Sequence, residues 1–439
     1  MTRTLRELRR YPSALAGLAI IGLLVAISVY AVVAIPYGEA IRLWNGGEGV
    51  WQRTPRNAWP AWLTVFPGVH LSRTVVVSST GTPRQEVDLG SGVRQITMAL
   101  PFDFPYQSFP QELAVFWDTS YTDKAPQVTL RWRRPDGRET ALAEIAVKPS
   151  DSYRISSDQR LQQAVGGRPE VALFADPRHP DQPLRGRYEL LIRGFLFEPA
   201  SHLDAQLVVY GQGYGLAGTD GQRRDLMIAL LWGTPIALAF GLLAAVGSTV
   251  STLVIAAIGV WYGGWVDGAI QRITEVNLIL PSLPILIMVS TLYSRSIWVI
   301  LGLVIVLGVF GGIKGNRALF LQIKEAPYIE AARAYGAGSL RVVLHYMLPR
   351  VVPVLVPSFV TLIPSFVFLE ATLAVLGLGD PSVPTWGKVL EDAYHSGALF
   401  VGQYYWVVEP AVLLVLSGLG FTMLGFALDR IVNPRLREM

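Results

Sequence analysis

Two parts of this chain are too apolar to remain in water, and the part between them is not. From Ser13 to Ile35 no side chain is charged. From Leu226 onward apolar runs return near residues 229–260, 268–293, 296–313, 351–375 and 406–428. Each run has about the length a helix needs to cross roughly 30 Å of hydrocarbon. Charged residues make up 16% of the 439, against about 25% in soluble domains. The deficit lies in the flanks, because residues 40 to 225 are ordinary in polarity. The pattern predicts an all-α polytopic membrane domain of six helices, interrupted between the first two by one large water-soluble insertion. The first run is too long for a signal-peptide core and no small-residue cleavage site follows it, so it is expected to stay as an anchor.

Charge fixes the expected orientation. Arg3, Arg6, Arg9 and Arg10 stand against Glu7 before the first span. Residues 314–350 hold Lys314, Arg317, Lys324, Arg333, Arg341 and Arg350 against Glu325 and Glu330, and the tail holds Arg430, Arg435 and Arg437 against Asp429 and Glu438. The loop from Gly377 to Tyr405 carries Asp380, Glu391 and Asp392 against Lys388. The positive-inside rule therefore places both termini and 314–350 in the cytoplasm, and the insertion outside. The expected domains are 1–36, 37–217 and 218–439. A net charge of +4 with no dense basic block argues against nucleic acid as a partner. The absence of cysteine excludes disulfides and thiolate chemistry. The five histidines are scattered, so no metal site is visible.

Within the insertion, Trp44, Trp51, Trp59 and Trp62 suit either a headgroup-level belt or a small core. Beyond them short strands are expected at Thr74–Val77, Val93–Ala99, Glu112–Trp117, Gln127–Trp132, Thr140–Val147, Arg187–Phe197 and Ala205–Tyr210. Arg134-Pro135-Asp136-Gly137 reads as a turn, and Val128, Leu130 and Trp132 share one face. These features predict a β-sandwich-like domain.

The most informative segment lies in the cytoplasmic loop. It reads Tyr328-Ile329-Glu330-Ala331-Ala332-Arg333-Ala334-Tyr335-Gly336, continues through Ala337, Gly338, Ser339, Leu340 and Arg341, and closes on His345-Tyr346-Met347-Leu348-Pro349. The expected form is a short helix, a sharp turn at Gly336 and Gly338, a second short helix, and Pro349 opening the next span. Ala331 and Ala332 keep one face thin for a partner surface, and Glu330 can pair with Arg333 or present its charge outward. This segment resembles the EAA loop of ABC importer permeases, with Glu-Ala-Ala, Gly336 and Leu348-Pro349 at the family spacing. Tyr346 stands where that pattern is usually apolar.

Further segments resemble the dipeptide/oligopeptide permeases in particular. They are Gly218 through Asp225, where Arg223 replaces the usual second glycine, and Tyr262 through Asp267. Glu370 through Gly379 with Pro384-Thr385-Trp386-Gly387 is another, as is Asp429 through Pro434-Arg435-Leu436-Arg437. The resemblance covers 1–36 and about 215–439, and it is closest to the "C"-type subunit. It implies a MetI-like permease fold and a translocation pathway shared with a second homologous permease. It also implies two cytoplasmic ATPases docked on the loop, an extracytoplasmic substrate-binding protein and a lipid bilayer around the chain. Peptides are the implied cargo, with a sugar or a nickel chelate as alternatives. The large insertion departs from the family and leaves open a membrane-anchored sensor or adhesin.

Candidate pathway residues are Asp220, Arg224 and Asp225, which suit either an outer mouth or a salt-bridged turn capping the next helix. Pro281, with Pro284, breaks a helix whose freed carbonyls could line a cavity. Glu370 is ionisable late in an apolar span, which favours either function or a local pair. Gly308, Gly312, Gly311 and Gly315 permit close helix packing. The chain contains no Gly-x-x-x-x-Gly-Lys-Ser/Thr, Gly-x-Ser-x-Gly or His-Glu-x-x-His. It is therefore expected to be no enzyme and to bind no cofactor, with ATP and Mg on partner subunits.

Overall fold

The computed structural model describes residues 11–90 and 92–432. The basic N-terminal arginines and the segment Pro434 to Glu438 lie outside the described residues. The chain divides into two compact units, Met1–Asn45 with Ile228–Met439, and Gly46–Met227. Both boundaries fall later than the expected 37 and 217. At the front, Tyr37 packs its ring 5.3 Å from that of Trp232, and the Asn45 amide donates to the Ser382 carbonyl at 3.0 Å. At the back, residues 218–225 are held by the β unit, where the Thr219 N–H donates to Ala58 O at 2.9 Å.

The helical unit contains α1 (Pro12–Ala34), α2 (Tyr37–Asn45) and, after the insertion with its α3 (Gln159–Val165), α4 (Leu226–Tyr262). It continues through α5 (Gly264–Ile279), α6 (Ser282–Leu292), α7 (Ile297–Val309), α8 (Ile313–Lys324), α9 (Pro327–Ala334) and α10 (Ser339–Val342). It ends with α11 (Leu348–Val375), α12 (Trp386–His395) and α13 (Tyr405–Val432). Five helical stretches among the described residues are long and apolar enough to cross a membrane: Pro12–Ala34, Leu226–Tyr262, Ile297–Lys324, Ser339–Val375 and Tyr405–Ile431. The expected third span is a pair, α5 and α6, bent by 79°. Pro281 N-caps α6 at that bend. The fourth run does not stop near 313. It continues to Lys324, because the polar residues of α8 lie on an amphipathic helix that buries Ile313 and Phe320.

Glycines set the closest helix contacts. A Cβ on Gly17 of α1 would lie 2.7 Å from the Gly420 carbonyl oxygen of α13, so the first and last helices meet backbone to backbone. Gly312 faces α4, with Thr252 Cγ2 3.0 Å from the position of a Cβ, and Gly308 faces Ser248 at 3.4 Å, whereas Gly311 and Gly315 border open space. The α11 helix ends at Gly377, which adopts φ +79°. There the Gly377 N–H donates to Ala374 O at 2.8 Å and the Leu378 N–H to Leu373 O at 3.0 Å, the left-handed closure that glycine permits.

The Gly46–Met227 unit is two antiparallel sheets. One has the order β1 (Val75–Ser78), β9 (His202–Tyr210), β4 (Glu112–Ser120), β7 (Ser152–Arg154). The other runs β2 (Arg84–Asp88), β3 (Arg94–Phe104), β8 (Gly186–Leu196), β5 (Gln127–Arg133), β6 (Glu139–Ala146). Val128, Leu130 and Trp132 are fully buried in the shared core, as period-two spacing requires. The turn at Arg134–Gly137 closes with the Gly137 N–H on Arg134 O at 3.0 Å and φ +81° at Gly137. All seven expected strands are present. The pattern missed β2, a wholly exposed edge strand, and the three-residue β7. The tryptophans divide: Trp44 is buried in the helical unit, and Trp62 is exposed on the β unit.

Candidate functional site: the helical elbow between α8 and α11

The elbow begins where Pro327 starts α9 without a backbone donor to satisfy. Ile329 and Ala332, three residues apart, are the buried positions of α9. Ile329 sits in a cluster with Phe320 of α8, Val342 of α10, Met347 and Val351, and with Leu253, Ala256, Ala257 and Val260 of α4. The two alanines of the motif therefore face opposite ways. Ala332 is buried, and Ala331 is exposed. Around Ala331 the outward surface presents Tyr328, Glu330, Ala334, Tyr335 and Leu340, with Tyr335 93% exposed.

Arg333 does not pair with Glu330. Its guanidinium lies 4.5 Å from the Trp261 ring centre at the end of α4, a cation–π contact, and Glu330 faces outward. Arg350 lies 5.6 Å above the Tyr328 ring, which closes the elbow's two ends on each other. Gly336 makes the turn with φ +82°, and the Ala337 N–H donates to Ala332 O at 3.0 Å. Gly338 has an ordinary φ of −67°, so the sharp turn needs one glycine, not both. Pro349 stands in the first turn of α11 as expected, but that helix does not start afresh there. The backbone is helical from Ser339 through Val375, with a π turn over Val343–Met347. The Leu348 N–H closes that turn on Val343 O, and the widened turn lies immediately before a residue that lacks the next donor. Tyr346 packs half-buried against the seat, which suits an aromatic ring at a position otherwise apolar.

Sequence reasoning missed what holds the elbow to the helices before it. The Lys324 ammonium donates to the carbonyls of Val260 at 2.6 Å and Trp261 at 3.3 Å, a cation on the C-terminal end of α4. Arg317 of α8 grips Asp267 of α5 through Nε and Nη2, at 2.8 and 2.5 Å. The motif around Asp267 and the basic residues of 314–350 were both visible, but nothing in their spacing joined them.

The candidate pathway residues are not brought together. Asp220, Arg224 and Asp225 lie in the β unit. Asp220 is buried and accepts from Arg224 Nε at 2.5 Å, from the Arg224 N–H at 2.8 Å and from the Gln222 N–H at 2.8 Å. Asp225 accepts the Met227 N–H at 2.9 Å at the start of α4, and burial pushes its carboxyl above the ordinary range. This is the salt-bridged, helix-capping turn. Arg223 keeps φ +68°, the conformation of the glycine it replaces. It donates to the Thr54 carbonyl at 2.8 Å, pairs with Glu112 and lies 4.3 Å from the Tyr210 ring centre.

In the helical unit Pro281 is exposed at the α5–α6 bend. Glu370 is buried in α11 and hydrogen-bonded to Thr385. Thr385 itself caps α12. The neighbouring Pro384-Thr385-Trp386-Gly387 segment is a packing device. Trp386 is buried and donates to Leu230 O at 3.0 Å, and a Cβ on Gly387 would lie 2.6 Å from that of Ala374.

A cavity of about 450 Å³ opens between α4, α7–α8 and α11, lined by Ser248, Thr249, Thr252, Asn316, Ser358 and Phe366 among others. The Thr249 hydroxyl is buried without a hydrogen-bond partner among the described residues. Small hydroxyls along one face of an otherwise apolar helix are the sequence trace of this cavity.

Comparison with known proteins agrees with this architecture. Residues 237–438 match the family described as "Binding-protein-dependent transport system inner membrane component". The dipeptide transport system permease protein DppC of Alkalihalophilus pseudofirmus is 30% identical over 227 residues, covering 50% of this chain and 72% of the relative. The glutathione transport system permease protein GsiD of Escherichia coli O6:K15:H31 is 31% identical over 222 residues, again 50% and 72%. The Bacillus subtilis DppC is 28% identical over 222 residues, covering 69% of that protein. This chain belongs to the binding-protein-dependent permease family. The permease match contains the elbow, its seat on α4 and the cavity. The β unit lies outside the matched residues.

Proposed function

We propose that this permease is one half of the membrane channel of an ATP-driven importer of short peptides. A second, homologous permease chain forms the other half. Two cytoplasmic ATPases dock on the two elbows, and an extracytoplasmic binding protein delivers the cargo. In this reading the bent α5–α6 pair is the third of six spans, both termini are cytoplasmic and the β unit is extracytoplasmic. Peptides are favoured as cargo because the relatives are a dipeptide and a glutathione permease by name.

One observation carries the reading. The elbow keeps Ile329 in a seat built from α4, α8 and α11, and it holds Tyr335 and Leu340 out of that seat. Exposed apolar groups on a rigid short helix suit a partner's groove. Movement of the docked partner would pass through Ile329 directly into α4 and α11. The cavity between those helices would then change shape with the nucleotide state, which is what differential binding in two states requires. The chain supplies no nucleotide site of its own, and hydrolysis with its ATP and Mg belongs to the partners.

The test is Leu340→Asp, alone and with Tyr335→Asp, in the co-expressed complex. Loss of ATPase co-purification and of dipeptide uptake is expected, with the chain still membrane-inserted. Normal docking and uptake by the double variant would end the proposal.

A further inference from the structure

The turn between α12 and α13 carries its apolar side chains on the outside. Phe400 is 96% exposed, and Leu399, Val401, Tyr394 and Tyr404 are exposed with it. This is not an unfolded loop. Gly397 and Gly402 bracket the turn with φ +64° and +82°. The Phe400 N–H donates to Gly397 O at 2.9 Å and the Gln403 N–H to Ala398 O at 2.8 Å. Ala398 is fully buried and anchors the base. A backbone held in this way keeps Leu399, Phe400 and Val401 exposed.

What covers them follows from where the turn leads. Tyr404 directly precedes α13, and exposed apolar residues then recur at Val408, Val412, Val415 and Leu419. Those positions repeat every three or four residues, so they form one face of the helix. On α13 that face is open, and the turn carries the apolar surface on past the start of the helix. No residue from Ser396 through Val408 is charged. An almost entirely apolar cavity of about 210 Å³ lies at the turn, lined by Val375 at the end of α11 and Val407 at the start of α13. The ends of two candidate spans therefore frame the turn.

We propose that the Gly397–Gly402 turn is a wedge in the bilayer interface, with Phe400 and Val401 among the upper acyl carbons and Tyr394 and Tyr404 at headgroup level. Tyrosine suits that depth because its ring is apolar and its hydroxyl polar. The wedge would pin the outer end of α12, and with it Trp386, to the membrane surface. The inference rests on α13 spanning the membrane, and the experiment separates the two.

Because this chain has no cysteine, single substitutions Phe400→Cys, Val401→Cys, Val412→Cys and Val87→Cys can each carry one environment-sensitive fluorophore. They are placed in the complete transporter, with partner cysteines replaced, in nanodiscs containing lipids nitroxide-labelled at the headgroup or at mid-chain. Labels at 400 and 401 are expected to be quenched by headgroup nitroxide. The label at 412 should respond to mid-chain nitroxide, and the label at Val87, exposed on β2, to neither. A quenched label at 412 with unquenched labels at 400 and 401 overturns the wedge and leaves the span intact. Shielding of 400 and 401 that arises only on adding the binding protein also overturns it and makes the turn a protein contact. An unquenched label at 412 would remove the span itself.

Discussion

Arg317 and Asp267 join two helices that the sequence separates by a bend and a candidate span. The guanidinium of α8 holds the carboxylate of α5 through contacts of 2.8 and 2.5 Å, and Lys324, two turns on, ends on the last carbonyls of α4. Together they brace the helix that feeds the elbow. Hydrogen bonds to charged groups contribute about 1.5–3 kcal/mol. This pair falls at the lower end because the Arg317 side chain is 33% exposed. Asp267→Ala is expected to leave ATPase docking intact but lower uptake relative to ATP hydrolysed. Equal losses of both, measured in proteoliposomes, would deny the brace a role in force transfer.

Arg223 yields a prediction in which the smaller residue is the better tolerated. Its left-handed backbone costs an ordinary L-residue about 1–2 kcal/mol, and glycine nothing comparable. Its buried guanidinium offsets that cost by pairing with Glu112. Removing one member of a buried pair destabilises by about 3–5 kcal/mol. Arg223→Ala should therefore unfold the β unit at lower temperature than Arg223→Gly, and Arg223→Gly with Glu112→Gln should recover part of the loss. Thermal unfolding of the purified chain measures the order. Equal melting of the Ala and Gly variants would mean that the backbone angle is not the source.

Much of the fold could be read from the residues, and the failures have physical causes. The strands with an inward apolar face were visible, because Val128, Leu130 and Trp132 alternate with polar neighbours. β2 has no buried face and so no alternation to detect. The elbow was legible as a motif, but its seat was not. Leu253, Ala256, Ala257 and Val260 recur at helical spacing, yet α4 is apolar all round, and a uniformly apolar helix does not reveal which face it buries. The cavity left only the hydroxyls of Ser248, Thr249 and Thr252 as a trace, and the bond from Arg317 to Asp267 spans fifty residues with no local trace.

The two overlapping glycine spacings in α7–α8 differ in consequence. Gly312→Ala would place a methyl 3.0 Å from Thr252 Cγ2, while the Thr252 hydroxyl is committed to Val309 O at 2.6 Å. Overpacking of this kind costs about 1–3 kcal/mol. Gly315→Ala meets open space and gains helix propensity of about 1 kcal/mol. The first variant should lower the melting temperature in detergent and the second should hold or raise it. The reverse order would place the α4 contact elsewhere.

Glu198 should give the β unit a measurable acid response. Its carboxylate accepts the N–H groups of Thr122, Asp123 and Lys124, each at 2.7 Å. These three donors hold its pKa down to about 2 from an ordinary 4.5. An unfolded glutamate takes up its proton near 4.5 and the folded one near 2, so between those values the unfolded chain binds more protons and stability rises with pH. The contribution is complete above 4.5 and is lost as the pH falls toward 2. Glu198→Gln keeps an acceptor but has nothing to titrate, so its melting temperature should fall less steeply across that interval than the parent's. Amide exchange at Thr122–Lys124 locates the effect. Parallel curves for the two proteins, with unchanged exchange at those three amides, would show that the carboxylate does not hold the turn.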